Sequence, residues 1–177
     1  MNKIDGEICP VCFTKNLTLI EDKQNIPHFG EIYIMSMSCS ECGFRKSDVD
    51  SEENRGPVKY ELEVSDVKDM SIRVVRGSEA TIKFPEFRVT VEPNNASNGY
   101  VANVEKVFDD LLKILNMQKE DEESKIKKKK LRQMVDLLLD VKEGKAKATL
   151  VIEDPTGVST IISEKAKKSS LNVKKKK

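Results

Sequence analysis

The sequence contains no tryptophan, a single histidine, and only 5% aromatic residues. So few aromatics argue against a surface built to stack many bases. One histidine is too few for an iron site made of two histidines and a carboxylate. Long apolar runs are also missing. The longest is Ile32-Tyr33-Ile34-Met35, far short of the ~20 residues of a membrane span, so no membrane association is expected. The opening residues, Met1-Asn2-Lys3-Ile4-Asp5-Gly6-Glu7, lack the apolar stretch of a secretory signal, and a cytoplasmic protein is expected. Neither Gly-x-Ser-x-Gly nor Gly-x-x-x-x-Gly-Lys-Ser/Thr occurs, so an enzyme of either motif class is not expected.

What is there is a highly charged chain of 177 residues, 34% charged and 38% hydrophobic. That length suits one ordinary domain, or one domain with a small module attached. The net charge of +1 hides an asymmetry. Residues 1–118 hold 14 Lys/Arg against 20 Asp/Glu, a balance of −6, and residues 119–177 hold 17 against 10, a balance of +7. The positive charge lies mainly in two lysine clusters, from Lys125 to Lys130 and from Lys165 to Lys177. A near-neutral total with a basic end is weak evidence for nucleic acid.

All four cysteines fall in the first quarter, as two Cys-x-x-Cys pairs, Cys9/Cys12 and Cys39/Cys42, with 26 residues between them. Each pair can curl two sulfurs toward one cation, and two pairs complete the tetrahedral thiolate shell of a zinc ion. Pro10 stiffens the first knuckle, and Gly43 suits the left-handed turn that closes the second. Two disulfides would need an oxidising compartment, and a redox pair would need one such motif at a helix start. An iron–sulfur cluster uses the same four ligands and stays open at this point. Four thiolates close the shell, so the zinc is expected to be structural, and its loss to unfold the module. His28, in Ile26-Pro27-His28-Phe29, is read as a loop residue beside Phe29, since the set of cysteine ligands is already complete.

Residues 14–20 and 31–38 read as strands of a hairpin, with Leu17, Leu19, Ile32, Ile34, Met35 and Met37 as apolar positions. Knuckles and hairpin together make a zinc ribbon over 1–54. A polar linker follows at 50–57. Strict alternation in Lys59-Tyr60-Glu61-Leu62-Glu63-Val64 predicts a strand, and further strands are expected at 72–76, 80–84 and 87–91. The period then changes. Val101, Val104, Val107, Phe108, Leu111, Leu112 and Leu115 recur at threes and fours, which predicts an amphipathic helix. After a polar break at 120–124, a second helix from Lys125 carries Leu131, Met134, Val135, Leu138 and Val141 and stops near Gly144. A break so short implies an antiparallel pair over about 100–144. Strands return at 148–153 and 158–162 around the Asp154-Pro155-Thr156-Gly157 turn, and these closing strands are expected to pair with those of 58–91. The lysine-rich tail over 165–177 shows no apolar period and is expected to be disordered. The expected architecture is mainly β with an α insertion: a four-cysteine ribbon over 1–54, then a β domain over 55–164 that carries a helical hairpin.

Several landmarks resemble the ZPR-type zinc-finger protein family. They are Cys9-Pro10-Val11-Cys12, Ile26-Pro27-His28-Phe29, and the run from Ile34 through Cys39-Ser40-Glu41-Cys42-Gly43-Phe44-Arg45. Further on come Ala80-Thr81-Ile82-Lys83-Phe84-Pro85-Glu86, Val101-Ala102-Asn103-Val104-Glu105, and Leu150-Val151-Ile152-Glu153-Asp154-Pro155-Thr156-Gly157. The resemblance covers about residues 7–163 and implies a zinc ribbon joined to a double-stranded β-helix with a helical hairpin. Eukaryotic members carry two such modules, and this chain, with one knuckle set, resembles the shorter archaeal type. The resemblance also implies a partner, the translation elongation factor 1-alpha GTPase, which the family binds and helps to fold.

Three function classes follow. The first is a zinc-containing binding module or folding factor for that GTPase. Phe44 and Arg45, beside the second knuckle, and Lys127, Lys128 and Lys129 on the hairpin are its candidate contacts. The second is an RNA- or ribosome-associated protein acting through the lysine clusters. The ribbon itself carries only Lys15, Lys23, Arg45 and Lys46 over 7–50, not a basic stripe with interleaved aromatics. The third, a metal oxygenase of the kind double-stranded β-helices host, lacks its histidines. The first is the reading taken forward.

Overall fold

Alternation decides where the strands of this protein form. In β5 (Val58–Val64), Val58, Tyr60, Leu62 and Val64 are buried while Lys59, Glu61 and Glu63 reach solvent. One face therefore packs and the other is solvated. The structure, a computed structural model, describes residues 1–26, 30–51 and 56–171. The expected turn at 27–29, with His28, and much of the 50–57 linker lie outside the described residues.

Among the described residues, three antiparallel sheets organise the chain. The first is the ribbon, in the order β1 (Asn2–Glu7), β2 (Leu17–Ile26), β3 (Gly30–Cys39), β4 (Arg45–Ser51). The second has five strands, β12 (Lys167–Ser170), β5, β10 (Ala148–Asp154), β7 (Thr81–Phe84) and β8 (Val89–Val91), in that spatial order. The third is β11 (Thr160–Ile162), β6 (Arg73–Arg76) and β9 (Tyr100–Asn103). The expected closure of the β domain is present: β10 pairs with β5 from Ala148↔Val64 to Asp154↔Val58 and with β7 on its other side, while β11 pairs with β6.

Between β9 and β10 stand α1 (Val104–Asp121) and α2 (Lys125–Lys142). Lys142, at the end of α2, pairs with Asp109 and Glu105 in the first turns of α1, so the two helices run antiparallel. The inner helix is α1, which buries Val104, Val107, Phe108, Leu111 and Leu115; α2 buries only Leu138 and Val141. Phe108 meets Phe84 edge-to-face with centroids 5.5 Å apart, a favoured aromatic geometry. Through Phe108 and Leu111 the hairpin joins the same core as Leu62, Leu150 and Ile152. The stop near Gly144 is as expected, with Gly144 at φ +71° and the Lys145 amide donating to the Asp140 carbonyl.

Four features depart from the sequence reading. Two ribbon strands, β1 and β4, were not anticipated; β1 is exposed along its whole length, so it has no apolar alternation to betray it. Val101 lies in β9 rather than in the first helix, because the backbone of β9 pairs with β6. The strand expected at 87–91 begins only at Val89, because the break that Pro85 marks is a 3-10 turn, Pro85–Phe87, ending with Arg88 in the left-handed region. The tail is ordered at its start. Lys167–Ser170 forms β12 against β5, and Lys165 Nζ reaches the buried Asp69 carboxylate at 2.6 Å. Backbone pairing and the bond of an exposed lysine to a buried carboxylate hold a segment with no apolar period. Residues 172–177 lie outside the described residues.

Ribbon and β domain share a second core. Ile26, Ile32 and Val49 of the ribbon pack with Val75 of β6, flanked by Val101, Val158 and Ile162. Polar contacts seal the seam: Ser47 Oγ donates to the Gly99 carbonyl, the Gly99 amide donates to the Ser47 carbonyl, and Asp48 accepts from Ser78 N and Oγ.

Candidate metal centre

Each knuckle is a tight turn at one end of the ribbon. In the first, the Phe13 amide donates to the Cys9 carbonyl at 2.9 Å and the Cys9 amide donates to the Thr14 carbonyl at 2.9 Å. The second repeats the pattern, Gly43 to Cys39 at 3.1 Å and Cys39 to Phe44 at 2.9 Å. The 26-residue spacer is filled by β2 and β3, ten residues each, paired from Leu17↔Cys39 to Ile26↔Gly30. Cys39 is the last residue of β3 and lies opposite Leu17 of β2, so hairpin register carries one knuckle to the other.

All four sulfurs converge. Cys9 Sγ lies 3.7 Å from Cys42 Sγ, Cys12 Sγ lies 3.6 Å from Cys39 Sγ, and all four ligand atoms fall within 4.8 Å of one another. A tetrahedron with metal–sulfur bonds of about 2.3 Å has edges of about 3.8 Å, so the spacing suits zinc. The cysteines are free thiols, with no disulfide among them. Cys9 and Cys39 are buried, Cys12 is half-buried and Cys42 is exposed; Leu17, Leu19, Met37 and Phe44 wrap the cluster.

Electrostatics of the metal-free shell call for a cation. The Thr14 hydroxyl and amide, together with the neighbouring thiols, lower Cys12 to about 6. Amides of Cys42 and Glu41 outweigh burial and lower Cys39. Cys42 accepts from the Phe44 amide, which favours its thiolate, yet partial desolvation of its sulfur and the three other sulfurs push it up to about 12. Four thiolates packed this closely repel one another, and a divalent ion removes that repulsion. A zinc held here has four sulfur ligands and no open coordination position, which makes it a structural ion.

The contacts named from the sequence divide by burial. Arg45 is exposed at the head of β4, whereas Phe44 is half-buried against the cysteine cluster rather than displayed. Lys127 and Lys129 are exposed on α2, Lys128 is half-buried, and Lys127 lies 3.8 Å from Glu122. These lysines belong to the hairpin and the cysteines to the ribbon tip, so the two sets do not form one site. Sequence reasoning missed Phe13, a bulky residue with φ +61° that is 77% exposed. The signal was there: Phe13 follows Cys12 as Gly43 follows Cys42. It also treated Asp154 only as a turn residue. Asp154 is fully buried and accepts from the amides and hydroxyls of Thr156 and Ser159, all at 2.5–2.8 Å.

Among the described residues, no helix is long and apolar enough to cross a membrane. Comparison with known proteins agrees with this architecture. Residues 6–54 match the ZPR1 zinc-finger domain and residues 68–177 the ZPR1 jelly-roll domain. A ZPR1-like protein of Methanocaldococcus jannaschii is 41% identical over 168 residues, covering 93% of this chain and 83% of that protein. One from Pyrococcus horikoshii is 38% identical over 92% of this chain and 75% of its own length. The zinc finger chaperone zpr1 of Schizosaccharomyces pombe is 29% identical over 85% of this chain, which spans 34% of that longer protein.

Proposed function

The chain belongs to the ZPR1 zinc-finger family, and from that premise we propose that it is a cytoplasmic protein-binding module, not an enzyme, whose partner is the elongation factor 1-alpha GTPase. The observation that carries the reading is the closed four-sulfur shell of Cys9, Cys12, Cys39 and Cys42. A zinc in that shell stabilises a shape and has no position left for a substrate. A fission-yeast relative is named a zinc finger chaperone, which supports a protein as the thing bound. Phe44, Arg45, Lys127, Lys128 and Lys129 are the proposed contacts. The test is binding of purified elongation factor 1-alpha to the zinc-loaded chain, with nuclease present, at moderate and at high salt. A complex that survives both supports the proposal; no complex in either overturns it.

A second reading is favoured by one observation. The first two turns of α2 carry Lys125, Lys127, Lys128, Lys129, Lys130 and Arg132. Among the described residues, the Lys127–Glu122 contact is the one ion pair these cations make. An uncompensated cationic helix end can hold an RNA backbone. Binding of RNA that weakens steeply with salt, with no binding of the GTPase, would favour that reading.

A further inference from the structure

Strand β8 is the edge of the five-stranded sheet: β7 pairs with one side of it, and among the described residues no strand pairs with the other. An unpaired edge presents backbone donors and acceptors that another strand can meet. The residues of β8 also line a cavity of about 520 Å³, opposite Ile114 and Gln118 of α1 and Leu131 and Met134 of α2. Gln118, Leu131 and Met134 also line a second cavity of about 580 Å³ at the tip of the hairpin, so the two form one groove. Its apolar lining is half-buried: Val89, Val91, Leu131 and Met134 pack on the main core and keep part of their surface accessible.

The hairpin-tip half of the groove is lined by both signs, Asp121, Glu122 and Glu123 with Lys127 and Lys130, whereas one side chain fixes the charge of the half along β8. Among the described residues, Arg88 is the single charged one lining the β8 half of the groove. It is exposed, and among the described residues no carboxylate pairs with it. Its backbone is left-handed, φ +52° and ψ +34°, a conformation that costs a non-glycine residue on the order of 1 kcal/mol. The fold thus holds an unpaired cation in a strained turn at the mouth of an apolar groove beside a free strand edge.

We propose that this groove takes up an extended segment of a partner polypeptide, added as a further strand along β8. Alternate apolar side chains of that segment lie over Ile114, Leu131 and Met134, and a carboxylate of the segment meets Arg88. Main-chain pairing supplies affinity and the alternate pockets supply selectivity, as in other strand-addition complexes. The proposal rests on the reading of this protein as a protein-binding module, but not on which partner it binds.

Its test therefore uses no elongation factor. The zinc-loaded full chain is titrated into a fluorescein-labelled, end-capped peptide, Ser-Val-Glu-Val-Thr-Val-Glu-Ser, and into a version with lysine in place of both glutamates. Anisotropy reports binding, and amide exchange reports where. The glutamate peptide is expected to bind saturably and to slow exchange over Val89–Val91. Arg88→Gly, which relaxes the turn, and Arg88→Glu should each weaken it at least about tenfold. Arg88→Glu should reverse the preference toward the lysine peptide. No saturable binding up to millimolar chain, binding indifferent to both Arg88 variants, or protection away from β8 would overturn the proposal and leave the GTPase experiment standing. A dimer that Arg88→Glu dissociates would make a second copy the occupant and overturn it too.

Discussion

Phe13 and Gly43 stand at equivalent positions, one residue past Cys12 and Cys42, and both take a left-handed backbone, at φ +61° and +73°. Each donates its amide to the carbonyl of the first cysteine of its knuckle. The turn demands that conformation, and glycine meets the demand without steric cost whereas phenylalanine does not.

Phe13→Gly should therefore leave zinc stoichiometry unchanged and alter stability by less than about 1 kcal/mol. Relief of the turn and the extra freedom of glycine in the unfolded chain nearly offset each other. The side chain is 77% exposed, so little packing is lost. Gly43→Ala meets no atom within 4 Å, so its cost of about 1 kcal/mol is conformational alone. Thermal melts of the zinc-loaded variants check both; a loss above ~2 kcal/mol for Phe13→Gly would show that the ring packs after all.

Zinc affinity should fall as pH falls. Cys42 lies at about 12 without metal, so it is protonated at neutral pH and must release that proton to bind. Cys12, at about 6, must do so only below that value. Each thiol that must deprotonate costs about tenfold in affinity per pH unit. A competition titration with a chelator should show the slope steepen below pH 6. Cys42→Ser should lose the stoichiometric zinc; a full equivalent by elemental analysis in that variant would refute the ligand set.

Asp154→Ala should cost about 2–4 kcal/mol, read by chemical denaturation. It strips the acceptor from two amides and two hydroxyls at a fully buried site. The strain spreads further, because Ser159 Oγ accepts from the Gly77 amide at 2.9 Å.

Removing residues 165–177 should destabilise the β domain by about 1–3 kcal/mol, since it leaves the buried Asp69 carboxylate without Lys165. Burial alone would raise the Asp69 carboxyl. The Lys165 ammonium and the amides of Ser65 and Asp66 outweigh it and hold the group below its ordinary value. A lowered carboxyl contributes stability that is present at neutral pH and is lost as pH drops below about 4. The intact chain should lose stability there, and the Lys165→Ala variant should lose less.

Gly99→Ala should loosen the seam between ribbon and β domain. An added Cβ would lie 2.6 Å from both Val49 N and Asp48 Oδ1, closer than real atoms pack, and one of the two elements must shift. Faster amide exchange at Ser47 and Val49 with zinc still bound would report it; unchanged exchange would mean the seam is softer than its geometry.

The metal set was legible because two Cys-x-x-Cys turns carry their chemistry in local spacing. The helices were legible because Val107, Leu111 and Leu115 repeat at the helical period, and β5 because Tyr60, Leu62 and Val64 alternate. These signals are short-range: they depend on which neighbours share a face. What only the tertiary structure decided depends on residues far apart in sequence. β12 exists because β5 has a free edge for polar residues to pair with, and Lys165 is fixed because Asp69, 96 residues earlier, is buried beside it. Likewise, β8 borders a groove lined by Ile114, Leu131 and Met134 because the hairpin packs on the same core, with Phe108 against Phe84. Periodicity fixes faces, but backbone pairing and burial of lone charges carry no period, and only the folded chain can place them.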